Sequence, residues 1–124
     1  MLISDVIRIL DANILCGADR TDLEIDSAFG SDMMSDVLAF VKDQSVLPTT
    51  LVLTGMINPH VIRTAEMLDV RCIVFVRGKQ VSDDIIEEAD EQGMVLLSTT
   101  KTLYTSSGLL YQAGLPACTR SGQA

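Results

Sequence analysis

From Thr50 onward the chain alternates apolar runs of strand length with stretches of helical period, and this alternation limits the fold more than any other feature. Thr50-Leu51-Val52-Leu53 is the first run, Cys72-Ile73-Val74-Phe75-Val76 the strongest, and Met94 to Leu97 the last. Between them Val61, Ile62, Ala65 and Leu68, then Ile85, Ile86 and Ala89, recur at the spacing of one helix face. Strands joined by single crossover helices pair in parallel, with right-handed connections. Apolar runs without polar alternation are those of strands covered on both faces. The expected fold class is therefore α/β, a three-layer α/β/α sandwich with a mostly parallel central sheet.

The earlier part of the chain extends the pattern. Ile3, Val6, Ile7 and Leu10 write a first helix, with Ser4 or nearby polar residues as its start signal. Ala12 to Cys16 reads as a strand halted by Gly17, residues 18–22 as a polar turn, and Leu23 to Phe29 as a second strand. Both strands are expected to add to one side of the sheet. Met33, Met34, Val37, Leu38 and Val41 make the buried stripe of the next helix, and Asp43 to Pro48 the connection after it. Asn58-Pro59 announces a helix twice over, because Asn is a preferred cap and Pro is tolerated at the first helical position. Ser82 is expected to cap an acidic helix that Gly93 ends; Thr99 or Thr100 opens the last helix, with Leu103, Tyr104, Ser107, Leu110 and Tyr111 as its periodic positions and Gly114 as its stop. Residues 1–115 are expected to form one domain and residues 116–124 a disordered tail.

Composition narrows the functions. At 124 residues with 48% hydrophobic and only 4% aromatic content, the core must be aliphatic, and apolar surface is left over for a homodimer. A net charge of −8 repels phosphate backbones, so neither nucleic acid nor an anionic membrane is an expected partner. Asp83, Asp84, Glu87, Glu88, Asp90 and Glu91 concentrate the acid, either as a solvated helix face or as a dock for a basic protein. No apolar stretch approaches the roughly 20 residues that span a bilayer, and Met1 to Asp5 lacks the basic start of a secretory leader. Cys16, Cys72 and Cys118 are odd in number and far apart, without a CxxC pair. A reducing cytoplasm is the expected location, and no metal or cofactor is expected.

In open parallel sheets, ligands bind beyond the carboxyl ends of the strands. Four loops are expected there: Gly30-Ser31-Asp32, Thr54-Gly55 to Asn58, Arg77-Gly78-Lys79, and Ser98-Thr99-Thr100-Lys101. Their glycines, hydroxyls and helix-start amides suit a small anion. The candidate ligand residues are Gly30, Ser31, Asp32, Asp36, Thr54, Gly55, Asn58, Gly78, Lys79, Thr99 and Thr100. Each loop equally contains what an ordinary capped helix start uses. Lys79 is the residue a turn least needs. Asp32 and Asp36, four apart, would share a helix face, as paired carboxylates for a metal or acid–base work or as acids placed for the helix dipole. His60 has no partners from which to build a triad or metal cluster. No phosphate-binding P-loop, dinucleotide fingerprint or GxSxG elbow is present, so no catalytic residue is named and an enzyme is not expected.

Several segments resemble a known family: Asp19-Arg20-Thr21, the stretch from Ala28 to Ala39, Leu53-Thr54-Gly55, residues 62–66, residues 73–79 and residues 108–115. Together they resemble a stand-alone DRTGG domain, over essentially Met1 to Leu115. Met56 stands where a second glycine after Leu-Thr-Gly would be expected. The resemblance implies a fold similar to the N-terminal domains of HPr kinase/phosphorylase and of a cell-wall ligase. It also implies a regulatory role, as beside CBS domains and in long phosphotransacetylases, without catalytic residues in the domain itself. The function expected is a non-catalytic module that senses a small anionic metabolite or nucleotide at the strand-end loops. The alternative is a protein-interaction or scaffold subunit with no small ligand.

Overall fold

The computed structural model describes residues 1–40 and 44–118. Its elements run α1 (Ile3–Leu10), β1 (Asn13–Cys16), β2 (Ser27–Gly30), α2 (Met34–Phe40), β3 (Thr50–Thr54), α3 (Pro59–Met67), β4 (Cys72–Phe75), α4 (Asp83–Glu91), β5 (Val95–Ser98) and α5 (Leu103–Gln112), with short 3-10 helices at Ala18–Arg20 and Gln44–Thr49. The five strands form one sheet in the order β1-β5-β4-β3-β2. Pairings from β2 to β5 are parallel, and β1 lies antiparallel on β5. The three-layer sandwich is therefore as expected.

Period-two alternation divides the core. Val52, Ile73 and Leu96 are in register across β3, β4 and β5 and face the layer that holds Val61, Ile62, Ala65, Ile85 and Ala89. Leu53, Val74 and Leu97 are in register on the other face, against Ile3, Val6 and Leu10 of α1 and Leu110 of α5. Every residue of β3 and β4 is buried, which is what their unbroken apolar runs require. The helices α2, α3 and α4 share one face because successive right-handed crossovers step the sheet one way, from β2 to β5. The second face is left for α1 and α5.

Several local expectations are corrected. The early strands do not share a side: β1 closes the β5 edge and β2 the β3 edge. The strand read from Leu23 forms only at Ser27, because Glu24 pairs back to Leu2 in an isolated bridge and Ile25 donates its amide to the carbonyl of Met1. Leu2, not Ser4, precedes α1, and its amide donates to the Asp5 carboxylate at 2.9 Å. Ser82 does stand at the cap position of α4, yet its hydroxyl makes no capping bond. The last helix begins later than Thr99 or Thr100, with Thr102 accepting from the Thr105 amide at 3.2 Å.

On α5, Ser106 and Leu110 point inward, while Tyr104 (89% exposed) and Tyr111 (71%) point out. Met33 is likewise exposed rather than part of the inner stripe of α2; the Leu38 side chain and Val41 lie outside what is described. The connection from Asp43 falls partly outside the described residues too, and its Gln44–Thr49 part is helical. The tail begins ordered. Ala117 forms a bridge with Ala28, the Cys118 amide donates to the Ala28 carbonyl at 2.8 Å, and Cys118 is buried, since β2 would otherwise present an open edge there. Residues 119–124 lie outside the described residues.

Candidate functional site

The four loops emerge at one pole of the sheet, and hydrogen bonds join them into one chain of contacts. Asp32, in the loop after β2, accepts the Gly55 amide on Oδ1 at 2.9 Å. The Gly55 carbonyl accepts from Lys79 Nζ at 3.0 Å and from Arg77 Nη2 at 3.3 Å. The Gly78 amide donates to the Thr99 carbonyl at 2.9 Å, and the Arg77 amide to the Lys101 carbonyl at 2.8 Å. Thr100 packs on Gly78, where a Cβ would sit 3.6 Å from its Cα. Gly55 is the hub. A Cβ there would press on the Arg77 guanidinium, 2.8 Å from Cζ and Nε, so only glycine lets that cation lie across the loop.

Other candidates serve the scaffold. The Thr54 hydroxyl is buried and accepts from the Met56 amide at 3.1 Å. Thr99 is buried as well, and its hydroxyl donates to the Leu10 carbonyl at 2.9 Å, tying β5 to the end of α1. Gly30 faces α5, where a Cβ would come within 3.2 Å of Leu103 Cδ1. Asn58 caps α3, accepting from the Val61 amide at 3.1 Å. Asp32 and Asp36 do not act as a pair: Asp32 holds Gly55, whereas Asp36 accepts from the Ser31 hydroxyl at 3.0 Å and closes its own turn.

Charge distinguishes this pole. Arg8, Arg20, Arg63 and Arg71 are each within 3.9 Å of a carboxylate. Arg77, Lys79 and Lys101, the remaining described cations, have no carboxylate partner among the described residues. All lie on the loops after β4 and β5. Sequence reasoning singled out Lys79 alone. The signal for Arg77 was its place before a glycine: it holds φ at 71°, a conformation uncommon for a residue with a Cβ. Between α2 and α3 a cleft of about 300 Å³ is lined by Asp32, Met33, Met34, Met56, Asn58 and His60 among others. Met33 and Met34 belong to the stripe expected to be buried and Met56 holds the place of a second glycine, yet Met33 is 57% exposed and Met56 41%.

The Asp19-Arg20-Thr21 segment sits away from these loops. Arg20 Nη2 donates to the Met94 carbonyl at 3.0 Å and to Asp90 Oδ1 at 3.2 Å, at the amino end of β5. Gly17, beside it, has φ 87°, and a Cβ would strike the Met94 carbonyl and Val95 Cα at 2.9 Å. This segment is a structural clasp between the first turn and the last strand.

With both segments placed, comparison with known proteins is decisive. The family model of the DRTGG domain matches residues 5–113. This chain belongs to the DRTGG family. No curated protein is matched. Among solved structures, the DRTGG domain described here is similar to the CBS and DRTGG domains of the regulatory region of Clostridium perfringens pyrophosphatase, complexed with its activator diadenosine tetraphosphate. The TM-score is 0.64 at 17% identity, over 91% of this chain and 46% of that one. The DRTGG domain thus spans about half of that regulatory region, and the likeness is one of fold. No helix among the described residues is long and apolar enough to cross a membrane.

Proposed function

We propose that this DRTGG domain is a non-catalytic regulatory module, a homodimer, that holds a small anionic metabolite or nucleotide at the carboxyl pole of its sheet. The observation that carries the reading is the set of cations without a carboxylate partner among the described residues, Arg77, Lys79 and Lys101, on two adjoining loops. An acidic chain has carboxylates to spare, so cations left without them at one pole are available to an incoming anion. Asp32, Gly55, Gly78 and Thr100 shape the ground beneath them. Ser31, Thr54 and Thr99 spend their hydroxyls on turn closure and on the end of α1, which supports binding rather than turnover. The nucleotide activator bound by the regulatory region of the pyrophosphatase fits the same reading.

The dimer reading rests on α5, where Tyr104 and Tyr111 stand seven residues apart on one exposed stripe. That stripe equally favours the second reading, a scaffold subunit in which the partner is another protein and the cations bind nothing small.

Thermal denaturation with inorganic tripolyphosphate, ATP and a dicarboxylate separates them. A ligand at a hundred times its Kd stabilises by about 2.7 kcal/mol. The expected result is a rise in Tm with at least one polyanion that shrinks as salt is added and is lost in Lys79→Ala/Lys101→Ala. No shift with any of them, or a shift indifferent to that double substitution, defeats the sensor reading.

A further inference from the structure

Resting on the anion-sensor reading, the geometry points to a purine nucleotide, whose base enters the methionine cleft between α2 and α3 while its phosphates reach Arg77 and Lys79. The cleft and the cations are linked through Gly55. Asp32 and Met56, which wall the cleft, flank that residue: Asp32 accepts its amide at 2.9 Å, and Met56 follows it in the chain. The carbonyl of the same residue carries Lys79 at 3.0 Å and Arg77 at 3.3 Å. The slot and the cationic seat are therefore linked through a single residue. A bare phosphate or dicarboxylate would use the seat and leave the slot empty.

The slot has the chemistry of an aromatic ring site. Its volume, about 300 Å³, lies at the small end of the range for small-molecule pockets. Met33, Met34 and Met56 line it, Met34 buried and the other two exposed, and thioethers are polarisable and pack favourably against aromatic rings. Met33 and Met56 are exposed, an unfavourable arrangement that a bound ring would relieve. A purine covers more of this surface than a pyrimidine. Asp32 stands between slot and seat with Oδ1 on Gly55 and Oδ2 without a partner among the described residues, placed to accept from ribose hydroxyls. A carboxylate in that role is familiar from dinucleotide sites. Base, sugar and phosphate are thus met in order.

The test is calorimetric titration of the full chain with ATP, with tripolyphosphate and with adenosine, combined with NMR of ¹³C-methyl-labelled methionine. ATP should bind at least about tenfold more tightly than tripolyphosphate, a difference of roughly 1.4 kcal/mol. Met33→Gln/Met56→Gln, at exposed positions, should remove that advantage and leave tripolyphosphate binding unchanged. Lys79→Ala should weaken both. ATP should shift the methyl signals of Met33, Met34 and Met56 but not of Met67, at the far end of α3. Equal affinity for ATP and tripolyphosphate, or ATP affinity unchanged in the double methionine variant, overturns the base site while the anion site stands. Methyl shifts with a peptide or on self-association, but none with ATP, also overturn it, in favour of a protein occupant. Binding of neither polyanion removes the anion seat and this inference together.

Discussion

Replacing Gly55 with alanine separates binding from folding, and the structure sets both magnitudes. The new Cβ would lie 2.8 Å from Cζ and Nε of Arg77, so the guanidinium must leave the loop. The obstacle is the tip of a flexible side chain, and φ at Gly55 is not in the left-handed region, so the backbone can accept alanine. The bond from Arg77 to the Gly55 carbonyl, at 3.3 Å, is lost, at a cost of about 1 kcal/mol. Restricting the unfolded chain returns about 0.4–1 kcal/mol. The two nearly cancel, and Tm should move by no more than about 5 °C.

Binding should suffer far more. A charge-assisted hydrogen bond from Arg77 to the ligand contributes about 1.5–3 kcal/mol, so tripolyphosphate affinity should fall roughly 10- to 100-fold. Arg77→Ala should fall equally, and the double variant no further, because both changes remove the same contact. Scanning calorimetry and titration on the same samples decide it. Wild-type affinity in Gly55→Ala would refute the role given to Arg77. A fall in Tm beyond about 10 °C would make Gly55 a folding requirement, as Gly17 is expected to be, with φ 87° and backbone atoms 2.9 Å away that cannot withdraw.

Three further outcomes are expected. Arg20→Ala, which removes donors from the Met94 carbonyl and Asp90, should destabilise by about 1–3 kcal/mol in urea while leaving polyanion binding intact; lost binding in a folded variant would contradict its placement as a clasp. Burial pushes the thiols of Cys72 and Cys16 up, Cys72 further, so a thiol reagent should reach Cys72 only on unfolding and Cys16 slowly. The native state then keeps protons that the unfolded state releases above about pH 9, so this contribution to stability is full below that pH and declines as pH rises; rapid native labelling of Cys72 would refute the packing. Sedimentation at about 50 µM should show a dimer, since apolar area of this kind drives association, and Tyr104→Arg/Tyr111→Arg should make it monomeric without lowering Tm; a wild-type monomer would remove the dimer.

The core was legible because its signals are local. Residues 72–76 had to be central, and the helix stripes at Val61–Ala65 and Ile85–Ala89 had to face them, since no other arrangement buries both. Edges were less legible. The sequence from Leu23 alternates as a strand should, yet pairing there goes to the N-terminus and leaves only Ser27–Gly30 for the sheet. On α5 the tyrosines and the leucines both recur at helical spacing, so periodicity could not choose between two apolar faces; packing against α1 chose Leu110. The order seen at Pro116–Cys118 comes from the open edge of β2, which composition does not reveal.

The site divides along the same line. Placing the loops at one pole needed only the strand–helix order, and that pole is where Asp32, Gly55, Gly78 and Lys79 meet. Which hydroxyls reach the surface depended on burial: Thr54 and Thr99 look identical in sequence to binding threonines, and both turn inward. Charge needed the whole fold. With 17 acidic and 9 basic residues, pairing is the default for any cation on this surface. An unpaired one gains meaning only against that default, and a sequence cannot say which cations are paired. Arg20 and Arg77 each stand in a polar turn in the sequence; in the fold one grips Asp90 and the other shares the Gly55 carbonyl with Lys79. The second arrangement sets two cations, Arg77 and Lys79, on one carbonyl with no carboxylate partner among the described residues. Two like charges held together at one pole, where the described cations elsewhere each meet a carboxylate, are the physical reason to look for the anion there.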